Sequence, residues 1–216
     1  LHHGIWWRTL SLPGRQGPCQ GWLGLRLDAR NEGAELTVSP GLVPVLPQVM
    51  RRVRHLLDLD AQPQDIHETL RELPGARAGL RVPGCMDGFE TTVRIILGQQ
   101  VTVAAGCTLA ARLVDRLGEP CATPVPGLTH LFPSALAMKN ASVDTLGQLG
   151  IIRSRIQALQ ALAAAVLDGQ LDLSPGAAVD DTLATLRALP GIGDWTCQLV
   201  ALRVLAWPDA FPASDA

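Results

Sequence analysis

Leu189 to Leu199 reads LPGIGDWTCQL. Two glycines flank Ile192, and Asp194 with Trp195 opens what reads as a helix. The preceding VDDTLATLRALP carries a helical period, so Gly191-Ile192-Gly193 joins two helices. Glycine permits positive φ and leaves neighbouring N–H groups uncovered. The second helix begins at this point, so its unpaired N–H groups and the positive end of its dipole face the same way. Such a turn can seat a phosphate. Ile192 is expected to hold the turn in the core. A plain corner between helices would also use glycines. The apolar-Pro-Gly-apolar-Gly order, followed by Thr196, favours a binding turn.

The other bulk properties narrow the function less. The chain has 216 residues, 47% of them hydrophobic, and a formal charge of -2. No apolar run approaches the ~18 residues of a membrane span. Nothing resembles a signal peptide. Lys139 is the one lysine; the other 17 of the 18 basic residues are arginines. With a formal charge of -2 a basic surface patch is not a bulk feature, and backbone dipoles can do locally what lysines do elsewhere. Five cysteines stand far apart without a CxxC pair, which argues against a zinc site or a disulfide scaffold and for a reducing cytoplasm. Cys107 and Cys197 lie in apolar helical patterns and are expected to be buried. The histidines are scattered and do not read as ligands. Leu1 in place of methionine, and an end at Ala216 inside what reads as a continuing segment, suggest a piece of a longer protein.

Residues 1–80 read as a small α/β domain. IWWRTLSL, GWLGLRLDAR and AELTVSP are expected strands, divided by PGRQGP and RNEG. A helix is expected from about Pro44 to Leu57 and a short one after DLDAQPQ. Residues 81–216 read as all-helical. Met86 to Leu117 has a helical pattern broken at Gly98, with Asp87 as N-cap. Ser134, Ser142 and Ile151 introduce further helices, the last running to Gly169. The fold class is thus mainly α with a small α+β N-terminal domain.

LPGIGDWTCQLVALR resembles the helix-hairpin-helix of base-excision DNA glycosylases. GLRVPGCMDGFETTVRIILGQQVTVAAGCTLAARLVDRLGE is similar to the bacterial 3-methyladenine DNA glycosylase II group. The resemblance covers nearly the whole chain and implies a glycosylase fold lacking its closing helices. It implies that Asp215, 22 residues after Gly193, is the catalytic carboxylate; Asp209 fits a turn better. Trp195 stands where lyase-competent relatives carry a lysine, so Schiff-base strand cutting is not expected. Its indole could stack on a cationic alkylated purine. Leu199 stands where that group often has a pocket tyrosine, and this chain has no tyrosine. Gly191, Ile192, Gly193, Asp194 and Thr196 would contact DNA. Gln99 and Gln100, in LGQQV, match the minor-groove wedge. Either Gln100 wedges through its aliphatic stem or the intercalating residue lies elsewhere. The resemblance also implies a sodium or potassium ion on the carbonyls of Arg187, Leu189 and Ile192, and no required cofactor.

The expected activity is excision of 3-methyladenine or 7-methylguanine from double-stranded DNA by a monomer. Two alternatives remain open on sequence: a non-catalytic DNA-binding module, and a glycosylase of this fold for other damaged bases.

Overall fold

A computed structural model describes residues 2–28 and 33–213. Strands β1 (Trp6–Gly14), β2 (Gly17–Asp28) and β3 (Gly33–Val38) form one antiparallel sheet in that order. PGRQGP does not divide the first two strands as expected. Pro13 pairs with Pro18 and Gly14 with Gly17, leaving Arg15-Gln16 as the whole loop. Gly17, the first residue after the loop, has φ 125°, a conformation that glycine adopts without a Cβ penalty. The second divider, RNEG, lies mostly outside the described residues. Leu10, Leu12, Leu23 and Leu25 alternate along β1 and β2 and share one buried face.

That face packs on a 3-10 turn at Pro40–Val45 and on α1 (Leu46–Leu56), through Leu42, Val45, Val49 and Val53. The single helix expected from Pro44 is therefore two elements. Pro44 has no N–H to donate and sits in the 3-10 turn, whereas Pro47 falls in the first turn of α1, where no donor is needed. Helix α2 (Pro63–Leu70) has no buried residue and leads into irregular chain.

The helical body begins where Asp87 caps α3 (Gly88–Gly98), its Oδ1 accepting from Glu90 N–H at 2.8 Å. Thr102 caps α4 (Val103–Leu117), Ser134 caps α5 (Ala135–Asn140) and Ser142 caps α6 (Val143–Gln148). Helix α7 (Arg153–Leu167) buries Ile156, Leu159 and Leu162 in the centre. Helices α8 (Val179–Ala188) and α9 (Asp194–Arg203) complete the body, with Cys197 and Val200 facing inward. The protein is thus mainly α with a small α+β N-terminal part. Cys107 corrects an expectation. It is exposed, because the inward stripe of α4 runs through Leu109, Ala110 and Leu113, and position 107 falls on the opposite side.

Two cores meet at Cys85 and Met86, the first in the helical core and the second in the sheet core. Polar bonds staple the two parts together. Arg8 pairs with buried Glu90, Thr9 donates to the His130 carbonyl at 2.8 Å, and Gln20 donates to Glu119 at 2.9 Å. No helix among the described residues is long and apolar enough to cross a membrane.

Candidate nucleic-acid interface

Helix α8 ends at Ala188, and the chain turns through Gly191 at φ 75°, a left-handed value that costs an L-residue strain. The turn is closed by Ile192 N–H donating to the Leu189 carbonyl at 3.3 Å. Ile192 is buried in the helical core, which holds the hairpin on the body. Gly193 is extended and is the N-cap of α9, with no side chain bonded to the first turn. The N-cap of α9 therefore supplies no side-chain acceptor to the first turn of that helix.

Asp194 and Arg187 form an exposed ion pair at 3.3 Å across the hairpin. Such a pair contributes little stability. It does offset, beside the glycines, the negative charge that Asp194 would otherwise present to a phosphate.

In front of the hairpin lies a cleft of about 1040 Å³. It is bounded by the turn from Gly98 to Thr102, by Ser154, and by Gly191, Gly193, Trp195 and Thr196. None of these residues is charged. Three helix starts meet there: Thr102 is the N-cap of α4, Ser154 is in the first turn of α7 and Gly193 is the N-cap of α9. The starts of α7 and α9 have no side-chain cap bond. Each helix start carries roughly half a positive charge, so among the described residues it is backbone that makes this cleft attractive to anions.

Trp195 is half-buried and lines the cleft instead of filling the core. Leu199 is also half-buried, one turn further along α9, and does not line it. Thr196 is buried at the cleft floor. Gln99 is tied down: its Nε2 donates to the Gly191 carbonyl at 3.1 Å and to Thr196 Oγ1 at 3.0 Å. Gln100 is exposed at the apex of the turn with φ 52°, a conformation costing a non-glycine residue ~1–2 kcal/mol. The two glutamines thus have different environments, one clamped and one presented. Val101, also exposed, adds apolar surface beside the apex.

Asp215 lies outside the described residues. The chain approaching it is bonded to α9, where Phe211 N–H donates to Gln198 Oε1 at 3.0 Å. Asp209 sits in an exposed turn, as expected. Among the described residues no group of three or more His, Cys, Asp or Glu could hold a metal ion. For the hairpin carbonyls the picture is mixed. Arg187 lies in the last turn of α8, where carbonyls lack in-helix donors, whereas the Leu189 carbonyl already accepts from Ile192. A carbonyl has a second lone pair, so that one bond leaves the Leu189 oxygen able to accept another contact.

Sequence reasoning missed Ser154 and Arg155. Arg155 is buried and donates to the Gln99 carbonyl. Nothing local to RSRIQ marks an arginine as inward-facing, and only packing against the turn does so.

Comparison with known proteins follows the same lines. Residues 1–87 match the model of the AlkA N-terminal domain, and residues 93–216 that of the HhH-GPD superfamily base excision DNA repair proteins. The chain is 37% identical over 188 residues to DNA-3-methyladenine glycosylase 2 of Escherichia coli, covering 87% of this chain and 66% of that protein. It is 42% identical over 170 residues to the probable bifunctional transcriptional activator/DNA repair enzyme AlkA of Mycobacterium tuberculosis, covering 76% of this chain and 34% of that protein. It therefore spans only part of both relatives. The fold is shared with the 3-methyladenine DNA-glycosylase from Archaeoglobus fulgidus, at TM-score 0.72 and 24% identity, over 100% of this chain and 73% of that one. With residues 93–216 matched, more than half of its length, the chain belongs to the HhH-GPD superfamily of base excision DNA repair proteins.

Proposed function

We propose that this chain belongs to a DNA glycosylase that excises alkylated purines, of the 3-methyladenine and 7-methylguanine type, from duplex DNA. The observation that carries the reading is the cleft that the glycine hairpin, the Gln100 apex and the Trp195 indole line together. The hairpin N–H groups grip the sugar-phosphate chain next to the lesion. Gln100 enters the stack as the target nucleotide leaves it. Trp195 receives the extruded base. An alkylated purine carries positive charge, and an indole face stabilises it by ~0.5–2 kcal/mol.

Asp215 is the carboxylate assigned to the chemistry. The N-glycosidic bond breaks with its electron pair leaving on the base, and the sugar becomes oxocarbenium-like. An ionised carboxylate stabilises that cation and accepts the proton of the water that adds at C1′. The cationic base is already a good leaving group, so no acid on the base is required. Leu199 lies on the same face of α9 as Trp195, one turn beyond the cleft lining.

The reaction stops at the abasic site. A tryptophan at position 195 has no amine, and Lys139 is engaged with Asp168 at 3.5 Å. A sodium or potassium ion on the carbonyls of Arg187, Leu189 and Ile192 would bridge hairpin and phosphate; no other cofactor is invoked. The protein works as a monomer on duplex DNA in the cytoplasm, where its widely spaced thiols suit a reducing medium.

The test is release of free base, measured by chromatography, from duplexes containing 3-methyladenine or 7-methylguanine. Wild type should release base, and Asp215→Asn should bind the duplex but release none. Binding without release by wild type on every alkylated duplex would leave only a DNA-gripping module.

A further inference from the structure

The turn between α3 and α4 is held from two sides. The Gln99 amide bridges to Gly191 and Thr196, which lie 92 and 97 residues further on. From beneath, Nη2 of Arg155 donates to the Gln99 carbonyl, across 56 residues. Arg155 is only 9% exposed and has no ion pair among the described residues. Burying a guanidinium without a carboxylate is costly, and an apolar side chain of the same reach would fill the space without that cost. Its positive charge strengthens the bond to a carbonyl and thereby fixes the peptide on which the apex stands. That apex is Gln100, whose left-handed backbone persists only where its surroundings over-determine it.

We infer that Arg155 is a positioning residue for base extrusion. It holds the Gln99 peptide, and with the Gln99 amide it makes the wedge turn and the phosphate-gripping hairpin one rigid body. The inference rests on the DNA reading above. A wedge must enter the duplex at a set distance from the gripped phosphate, and a turn free to move would have to be ordered on every encounter.

Two measurements on the full-length protein test this. Hydrogen exchange reads the turn directly: Arg155→Met should speed exchange of the amides of residues 99–102 and leave the interior of α7 protected. Fluorescence of 2-aminopurine beside an abasic-site analogue reads unstacking by the wedge. Arg155→Met should slow the fluorescence rise by about tenfold or more while affinity for undamaged duplex stays near wild type, and Gln99→Leu should slow the rise to a similar extent. Arg155→Lys, keeping a charge and a donor, should restore most of the rate. The double variant should be no worse than the worse single one, because both act on one turn. Gln99→Leu carries the test should Arg155→Met not fold.

A wild-type protein that leaves the fluorescence flat refutes the DNA reading, and the inference with it. A normal wild-type rise that both variants share, with unchanged exchange in the turn, overturns the inference alone.

Discussion

The two hairpin glycines have different duties, and single alanines separate them. Gly193 is extended, at φ -98° and ψ 178°, and a Cβ there meets no atom within 4 Å. Alanine at an N-cap is worse than glycine by ~0.5–1 kcal/mol, while the less flexible unfolded chain returns ~0.4–1 kcal/mol. The two effects cancel, so Gly193→Ala should melt within about 2 °C of wild type. Gly191 differs. Its Cβ would also find room, 3.5 Å from Ala158 Cβ and 3.6 Å from the Ser154 carbonyl, but its φ of 75° penalises any L-residue. That strain, ~1–2 kcal/mol less the same unfolded-state gain, leaves a net loss of about 1 kcal/mol. For a chain of this length the melting temperature should fall by about 2–4 °C.

Affinity should follow a different order from stability. Gly193 borders the cleft, so its added methyl stands where a phosphate must approach the α9 amides. Losing one hydrogen bond to a charged group costs ~1.5–3 kcal/mol, or roughly 10- to 100-fold in affinity. Fluorescence anisotropy with an abasic duplex at fixed salt, beside calorimetry, measures both quantities. A stable Gly193→Ala protein that binds like wild type would refute the reasoning, because the backbone amides then carry no grip.

Three further expectations follow from the same structure. Glu90→Ala leaves half-buried Arg8 without its partner and releases Arg94, bonded at 2.8 Å. It should cost about 3 kcal/mol and lower the melting temperature by about 6–12 °C, and a loss under ~1 kcal/mol would remove the staple between sheet and helices from the account. Burial pushes His55 below its ordinary pKa, with the backbone carbonyls of Arg203 and Val204 pulling the other way. The unfolded chain is therefore protonated first. The stability linked to His55 is present above pH ~6.5 and is lost as pH falls through that value, so His55→Gln should flatten the melting temperature between about pH 7.5 and 5.5. Wild type should give no borohydride-trapped adduct with an abasic duplex, whereas Trp195→Lys should give one; a wild-type adduct would mean an amine reaches the sugar.

Much of the local architecture was legible in advance because its causes lie within a few residues. Asp87, Ser134 and Ser142 cap the helices that the residues after them predict. The strands alternate as read, although the first turn is tighter, since two glycines flanking two residues suffice for a hairpin. Cys107 was misjudged for an instructive reason. An apolar neighbourhood along α4 does not say which of its sides is covered, and one residue's offset turns a side chain away from the core. The glutamine pair was read as one wedge, and only contact with the hairpin tells the clamped member from the presented one.

The amino-acid sequence by itself determined the glycine corner, the helix caps and the absence of an amine at position 195, because turn chemistry, capping and side-chain identity are settled by near neighbours. Tertiary structure decided that three helix starts converge on one cleft, that Trp195 faces it, and that Arg155 is buried beneath Gln99. Those facts join residues far apart along the chain, and such pairings depend on how helices pack and not on any local pattern.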